Sequence, residues 1–436
     1  MNAQLSYAGQ EWVRWPVQRT TCSGRKALSA RPKEFRTVSL ECPARAVRAL
    51  AAIAVPIAVF AACQFSPATE TGSAAPHSAG PGSVGVSITP GDGETDVLPH
   101  GTVAVQAGYG RLVSVKVVAQ RRGAADVTGT WGSGRHTWRS QRTMTPGTGY
   151  AVSVVGRDAG GRTFTARSVF RTRSATRTNK ATLTPTAGSQ VGVGRPVSIA
   201  FDKPVRNKAA VERALSVSTS VPTTGSWGWT RDPLSGIERV DWRPEKFWAE
   251  GTKVRVRARL SGIDTGAGRY LLHDAESSFT VGRSRISKVD LAKKMMTVYE
   301  QGKPIRVIPV SGGKPAYPTW NGTMVVLERA AMVRMTSQSV NIPEPYDLNV
   351  PWAVRLTTSG TFVHAAPWNA GKFGIINASH GCIGMSLADG KWFFDRARPG
   401  DVVQVSGSSS PSMRVGNGYG DWNVTYADWR RLSALA

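Results

Sequence analysis

An all-β chain is predicted by three features of the sequence. Short alternations of Val, Ile and Thr with polar residues recur along most of its length, Gly and Pro turns divide them, and long helical periodicities are scarce. At 436 residues, with 46 Gly and 26 Pro, the chain exceeds what one hydrophobic core organises. Several sandwich modules in series are therefore expected.

The first module is expected over residues 86–174. Its runs Gly101-Thr102-Val103-Ala104-Val105, Leu112 to Val118 and Tyr150 to Val155 alternate apolar and polar side chains, so each strand buries one face. A second module, residues 178–282, repeats the opening: Val86-Ser87-Ile88-Thr89-Pro90 is answered by Ala181-Thr182-Leu183-Thr184-Pro185. It adds Trp227, Trp229, Trp242 and Trp248, which at such spacing are core residues rather than a sugar-stacking platform. Along Lys253-Val254-Arg255-Val256-Arg257-Ala258-Arg259, cations alternate with apolar residues, which predicts a basic row on the solvent face.

A third β module, residues 283–406, carries strands at Lys294 to Tyr299, Ile305 to Val310, Thr323 to Glu328 and Val402 to Val405. Only Ser386 to Arg398 has a helical look. The tail, residues 407–436, contains Trp422 and Trp429 and is expected to pack back across the modules, because terminal aromatics must be buried somewhere.

Ahead of these modules, Ala49 to Ala62 form an uncharged run of fourteen behind Arg45 and Arg48, the length of a signal-peptide core and short for a membrane span. It ends Phe60-Ala61-Ala62-Cys63, which resembles a bacterial lipoprotein cleavage site, although Leu is usual where Phe60 stands. Cys63 is thus the lipidation candidate, with simple cleavage after Ala62 the alternative. Residues 1–63 are read as an export segment with an extended N-terminus, and residues 64–85, rich in Ser, Ala, Gly, Pro and Thr, as a flexible linker.

A net charge of +26 calls for a polyanionic neighbour. No zinc-ligand spacing, basic helix or aromatic-interleaved RNA motif accompanies it, so nucleic acid is set aside in favour of solvated faces in the field of an anionic surface. No His, Cys or carboxylate cluster has ligand spacing, so neither metal nor cofactor is implied.

The chemistry concentrates between His364 and Met385. His364 is followed by fourteen residues and then Ser379-His380-Gly381-Cys382, and Cys382 is the lone cysteine beyond Cys63. A thiol with an imidazole in reach is a nucleophile with its base. This order and spacing resemble the signature of the L,D-transpeptidase (YkuD-type) family of peptidoglycan cross-linking enzymes. In outline, the two preceding modules resemble the immunoglobulin-like domains that come before the catalytic domain in actinobacterial members. Two immunoglobulin-like β-sandwiches, a β-sandwich catalytic domain and a short Trp-containing tail are what the resemblance implies.

By that resemblance Cys382 is the nucleophile and His364 its base, with the Ala365 carbonyl orienting the imidazole. The N–H groups of Gly381 and Cys382 would converge on the substrate oxyanion, since Gly381 permits a tight turn. His380 would add a third donor or set the loop, and Ser379 would hold the loop together. Tyr346 matches the family's lid tyrosine, and Trp368 an aromatic beside the base. Met324, with Tyr346, Trp368 and Ala365, completes the expected substrate wall. Gly384 stands where the family usually has Asn.

The implied reaction is attack on a donor tetrapeptide stem of peptidoglycan, release of D-alanine, and aminolysis of the thioester by a second stem to give a 3-3 cross-link. The rivals are a cell-wall cysteine peptidase and a non-catalytic wall-binding protein. Papain-like enzymes carry Cys before His, the reverse of this order. Sortases need a downstream Arg on a strand, and Val402 to Val405 offers none.

Overall fold

The computed structural model describes residues 85–340 and 342–436. The export segment, Cys63 and the linker up to residue 84 lie outside the described residues. Among the described residues, no helix is long and apolar enough to cross a membrane.

Alternation in the sequence becomes sheet packing in each module. In the first, Val86–Thr89, Ala104–Ala107, Thr137–Ser140 and Gly129–Trp131 form one sheet, and Arg111–Ala119, Gly149–Arg157 and Thr163–Arg171 the other. Val105, Leu112, Val117, Val152 and Val154 fill the space between them, and Tyr150 stacks on Phe170 at 5.6 Å. The strand expected from Gly101 begins at Ala104 instead, because the Gly101 N–H turns back to the Leu98 carbonyl at 2.8 Å.

The repeat in the sequence is a repeat in space. Both openings end in a cis X-Pro bond, Thr89-Pro90 and Thr184-Pro185. Each proline carbonyl accepts a serine hydroxyl from its module's last strand, Ser168 at 3.0 Å and Ser277 at 2.6 Å. In the second module Trp229, Trp242 and Trp248 are buried and Trp227 partly so. Lys253, Arg255 and Arg257 face solvent as a row.

The third module packs a five-stranded sheet on a four-stranded one. In order across the first lie Lys303–Pro309, Met295–Glu300, Arg285–Asp290, Val402–Ser406 and Gly322–Val325. The second runs Glu328–Thr336, Asp347–Arg355, Phe362–Ala365 and Ile383–Met385. Val289, Met296, Ile308, Val354, Val363 and Ile383 meet between them. The single strand expected over Thr323 to Glu328 is therefore two: the Val326 N–H bonds Asp401 in one sheet and the Leu327 N–H bonds Arg355 in the other.

The expected helix forms at Leu387–Arg396, capped by Ser386, whose hydroxyl accepts from the Asp389 N–H. It lies against the Phe362–Ala365 strand. Gly390 makes that approach possible, since a Cβ there would come within 2.6 Å of the Ala365 Cβ.

The tail packs back as expected. Trp429 is fully buried and its indole N–H donates to the Ser226 carbonyl in the second module. The indole of Trp422 donates to Gly194, while the Asn423 side chain bonds both the N–H and the carbonyl of Thr323 in the third module. One short segment thus ties two modules together.

Candidate active site

Strand register decides what the motif can do. Phe362–Ala365 and Ile383–Met385 are adjacent and parallel, with Val363 opposite Ile383 and His364 opposite Gly384. Val363 and Ile383 point into the core. By alternation, Phe362 and His364 on one strand and Cys382 and Gly384 beside them share the opposite face. That face floors a cleft of about 620 Å³, lined by His364, Cys382, Ser379, His380, Gly381, Tyr346 and Trp368 among others.

His364 is buried, and its Nδ1–H donates to the Ala365 carbonyl at 2.8 Å. A carbonyl only accepts, so the proton sits on Nδ1 and Nε2 is left with its lone pair. Burial lowers the imidazole pKa and keeps the ring neutral, against a smaller opposing effect of the Ala365 bond. Trp368 stacks beside the ring at 5.9 Å.

The Cys382 thiol is also kept neutral. Burial pushes its pKa up to about 11, opposed by the Phe362 N–H and by the charge of Arg355. In this state the Sγ–H contacts the Gly360 carbonyl at 3.5 Å rather than the imidazole.

The motif loop is stapled by its own serine. The Ser379 hydroxyl donates to the Cys382 carbonyl at 2.6 Å and accepts from the Gly381 N–H at 3.1 Å. The expectation that Gly381 offers its amide to an oxyanion is therefore corrected for this state: that N–H is already used. Gly381 contributes its backbone instead, at φ 113°, a conformation that side-chain-bearing residues avoid.

His380 packs between two tyrosines. Tyr346 stacks on its ring at 4.9 Å and 29°, Tyr317 lies at 5.2 Å, and Glu344 Oε1 approaches its Nε2 to 3.1 Å, outside hydrogen-bond geometry. Glu344 also pairs with Lys314. The Tyr346 phenol is raised to about 12, first by burial and then by its proximity to Cys382.

Two expected wall residues do not line the cleft. Met324 is fully buried in the core between the sheets, because its parity on Gly322–Val325 turns it inward. Ala365 is likewise fully buried and acts only through its carbonyl. At Gly384, where the usual Asn is missing, a Cβ would meet the Ala366 methyl at 3.2 Å, so small neighbours fill that space.

Sequence reading missed Arg355, Phe362, Gly360, Tyr317 and Glu344. Arg355 ends the strand Asp347–Arg355, a stretch that drew no reading from the sequence because Pro351 interrupts its pattern. Its alternation with Val354 was the available signal.

The chain is similar to known proteins over most of its length. Residues 94–264 match a bacterial Ig domain and residues 284–405 an L,D-transpeptidase catalytic domain. The chain is 32% identical to L,D-transpeptidase 2 of Mycobacterium tuberculosis over 349 residues, which are 79% of this chain and 84% of the relative. To L,D-transpeptidase 5 of the same species it is 31% identical over 359 residues, 80% of this chain and 77% of the relative. Among solved structures, the L,D-transpeptidase LdtMt1 in complex with imipenem is 32% identical. It covers 53% of this chain and 99% of its own, with a TM-score of 0.46.

Proposed function

The chain belongs to the L,D-transpeptidase family and is an L,D-transpeptidase enzyme, and from that premise we propose that it cross-links peptidoglycan through a Cys382 thioester. The observation that carries the reading is the shared face of His364, on its strand, and Cys382, immediately before the adjacent strand, with Nδ1 tied to Ala365 and Nε2 free to take a proton.

Cys382 gives its proton to His364 Nε2 as the sulfur attacks the carbonyl of the third stem residue, a diamino acid. The peptide C–N bond breaks, His364 protonates the departing amine, and D-alanine leaves. The side-chain amine of a second stem then attacks the thioester, His364 takes its proton, and a 3-3 cross-link forms with the thiol restored. The energy of the original peptide bond is kept in the thioester, so no nucleotide is consumed.

Cys382 N–H is the oxyanion donor in this mechanism, and Ser379 holds the loop that aims it. Tyr346 and Trp368 bracket the substrate, and His380 seats the lid. Peptidoglycan lies outside the cytoplasmic membrane, so export through residues 1–63 and anchoring by a lipid on Cys63 belong to the same proposal. Anionic wall polymers are the partners that the +26 charge suits.

Purified protein given a disaccharide tetrapeptide is expected to yield cross-linked dimer and free D-alanine, and Cys382→Ala neither. Full activity in that variant would remove the assignment, and tripeptide without dimer would mean hydrolysis instead. A carbapenem is expected to add one-to-one at Cys382 in intact mass.

A further inference from the structure

Arg355 is a cation in the cleft that the mechanism above leaves without a part. It lies on the floor in a row of three. Arg355 is opposite Phe362 on the neighbouring antiparallel strand. The parallel register that sets Val363 against Ile383 puts Cys382 beside Phe362 on the far side. All three side chains therefore rise from one face, with the arginine and thiol backbones two strand spacings apart, roughly 10 Å.

The guanidinium does not extend away from the sulfur. It folds over the Phe362 ring at 4.6 Å from the centroid, halfway back toward Cys382. Its charge reaches the thiol, where it is one of the influences favouring the thiolate.

Its partners leave donors over. Nη1 reaches the Thr357 carbonyl at a long 3.4 Å, and Nε is 3.0 Å from Glu328 Oε1 but outside hydrogen-bond geometry. No described residue accepts from Nη2. Glu328 is largely exposed, so it screens the charge only weakly.

The other cations lining or flanking the cleft are engaged. Arg334 is bonded twice by Asp347, and Lys314 is paired with Glu344.

This arrangement suits one feature of the proposed donor. A tetrapeptide cleaved before its last residue carries a free carboxylate one residue, about 3.5 Å along the chain, from the scissile carbonyl. When that carbonyl is over Cys382, the carboxylate falls within the span covered by a side chain folded over Phe362. A planar guanidinium is the group best matched to it.

Resting on the transpeptidase reading, we infer that Arg355 is a specificity-determining residue that binds the terminal carboxylate of the donor stem, so that the enzyme selects stems ending one residue beyond the bond it cuts. A stem longer by one residue would place a neutral amide against the guanidinium and its carboxylate beyond reach.

The test compares two donors on the full chain: a disaccharide tetrapeptide ending in free D-alanine and the same molecule ending in D-alaninamide, with release of the terminal group followed by mass spectrometry. Wild type is expected to favour the free acid in kcat/KM by tenfold or more. Arg355→Gln is expected to bring that ratio to about one, and Arg355→Lys to leave it in between.

If Arg355 merely tunes the thiol or props the strand, Arg355→Gln slows both donors equally and the ratio persists, which overturns the proposal. A ratio near one in wild type overturns it without any variant, while leaving the transpeptidase reading intact. Release from neither donor overturns both.

Discussion

The floor of the cleft and the seam between the tail and the second module both bury polar groups, and they do so by opposite means. At the seam the buried guanidinium is compensated. Arg239 bonds Asp241 at 2.6 Å, donates to the carbonyls of Gly416 and Gly418, and packs on Tyr419, with Asp421 Oδ1 at 3.9 Å. In the cleft the reacting pair is neutral: the imidazole and thiol each lean on a backbone carbonyl, and burial moves their pKa values away from ionisation. Compensated charge fixes a geometry, whereas an uncompensated neutral pair separates charge only when a substrate carbonyl arrives to receive it.

The sharpest way to break this contrast is to remove the cleft pair. Cys382→Ala is expected to lower D-alanine release by more than about 10³-fold, and His364→Gln by about 10²- to 10⁴-fold, with unfolding transitions near wild type. A His364→Gln enzyme within a few-fold of wild type would mean that another group takes the proton.

Trp429→Ala strikes the seam instead. Emptying a fully buried indole site is expected to cost about 3–5 kcal/mol of stability in denaturant unfolding, while D-alanine release per folded molecule persists at permissive temperature. Unchanged stability would show that the tail does not hold the modules together.

The neutral resting state has its own signature. With the thiol raised to about 11, iodoacetamide alkylation of Cys382 is expected to be slow at neutrality and to climb with pH up to at least pH 9. A plateau near pH 7 would reveal a preformed thiolate–imidazolium pair and erase the contrast with the seam.

The smallest effect belongs to Asp421. Neither of its carboxylate oxygens has a hydrogen-bond partner among the described residues. Burial, then repulsion from Asp241, raises its pKa well above the usual 3.8, against the pull of Arg239 and Arg243. A carboxyl raised on folding contributes stability in full below its unfolded pKa, and loses it as pH climbs through the folded value. Asp421→Asn is therefore expected to match wild type in thermal melts at pH 4 and to exceed it by a widening margin toward pH 8. A margin that shrinks with pH would contradict the assignment.

Much of this molecule is legible in one dimension. The Val and Ile alternations specify strands and which side of each is buried. The spacing from His364 to Cys382 marks the candidate nucleophile and base, and the paired Thr-Pro openings announce the repeated module. All of these are carried by residues close in sequence, where parity and residue type suffice.

What needed the fold is whatever depends on the neighbour across a sheet. Met324 looked like cleft wall and is core, Thr323 to Glu328 looked like one strand and serves two sheets, and Arg355, which no motif singled out, stands in a row with Cys382. The sequence alone determined the reagents and the strands that carry them. Register and packing decided which face each reagent occupies and which cation shares it, because those contacts join residues tens or hundreds of positions apart and no local pattern records them.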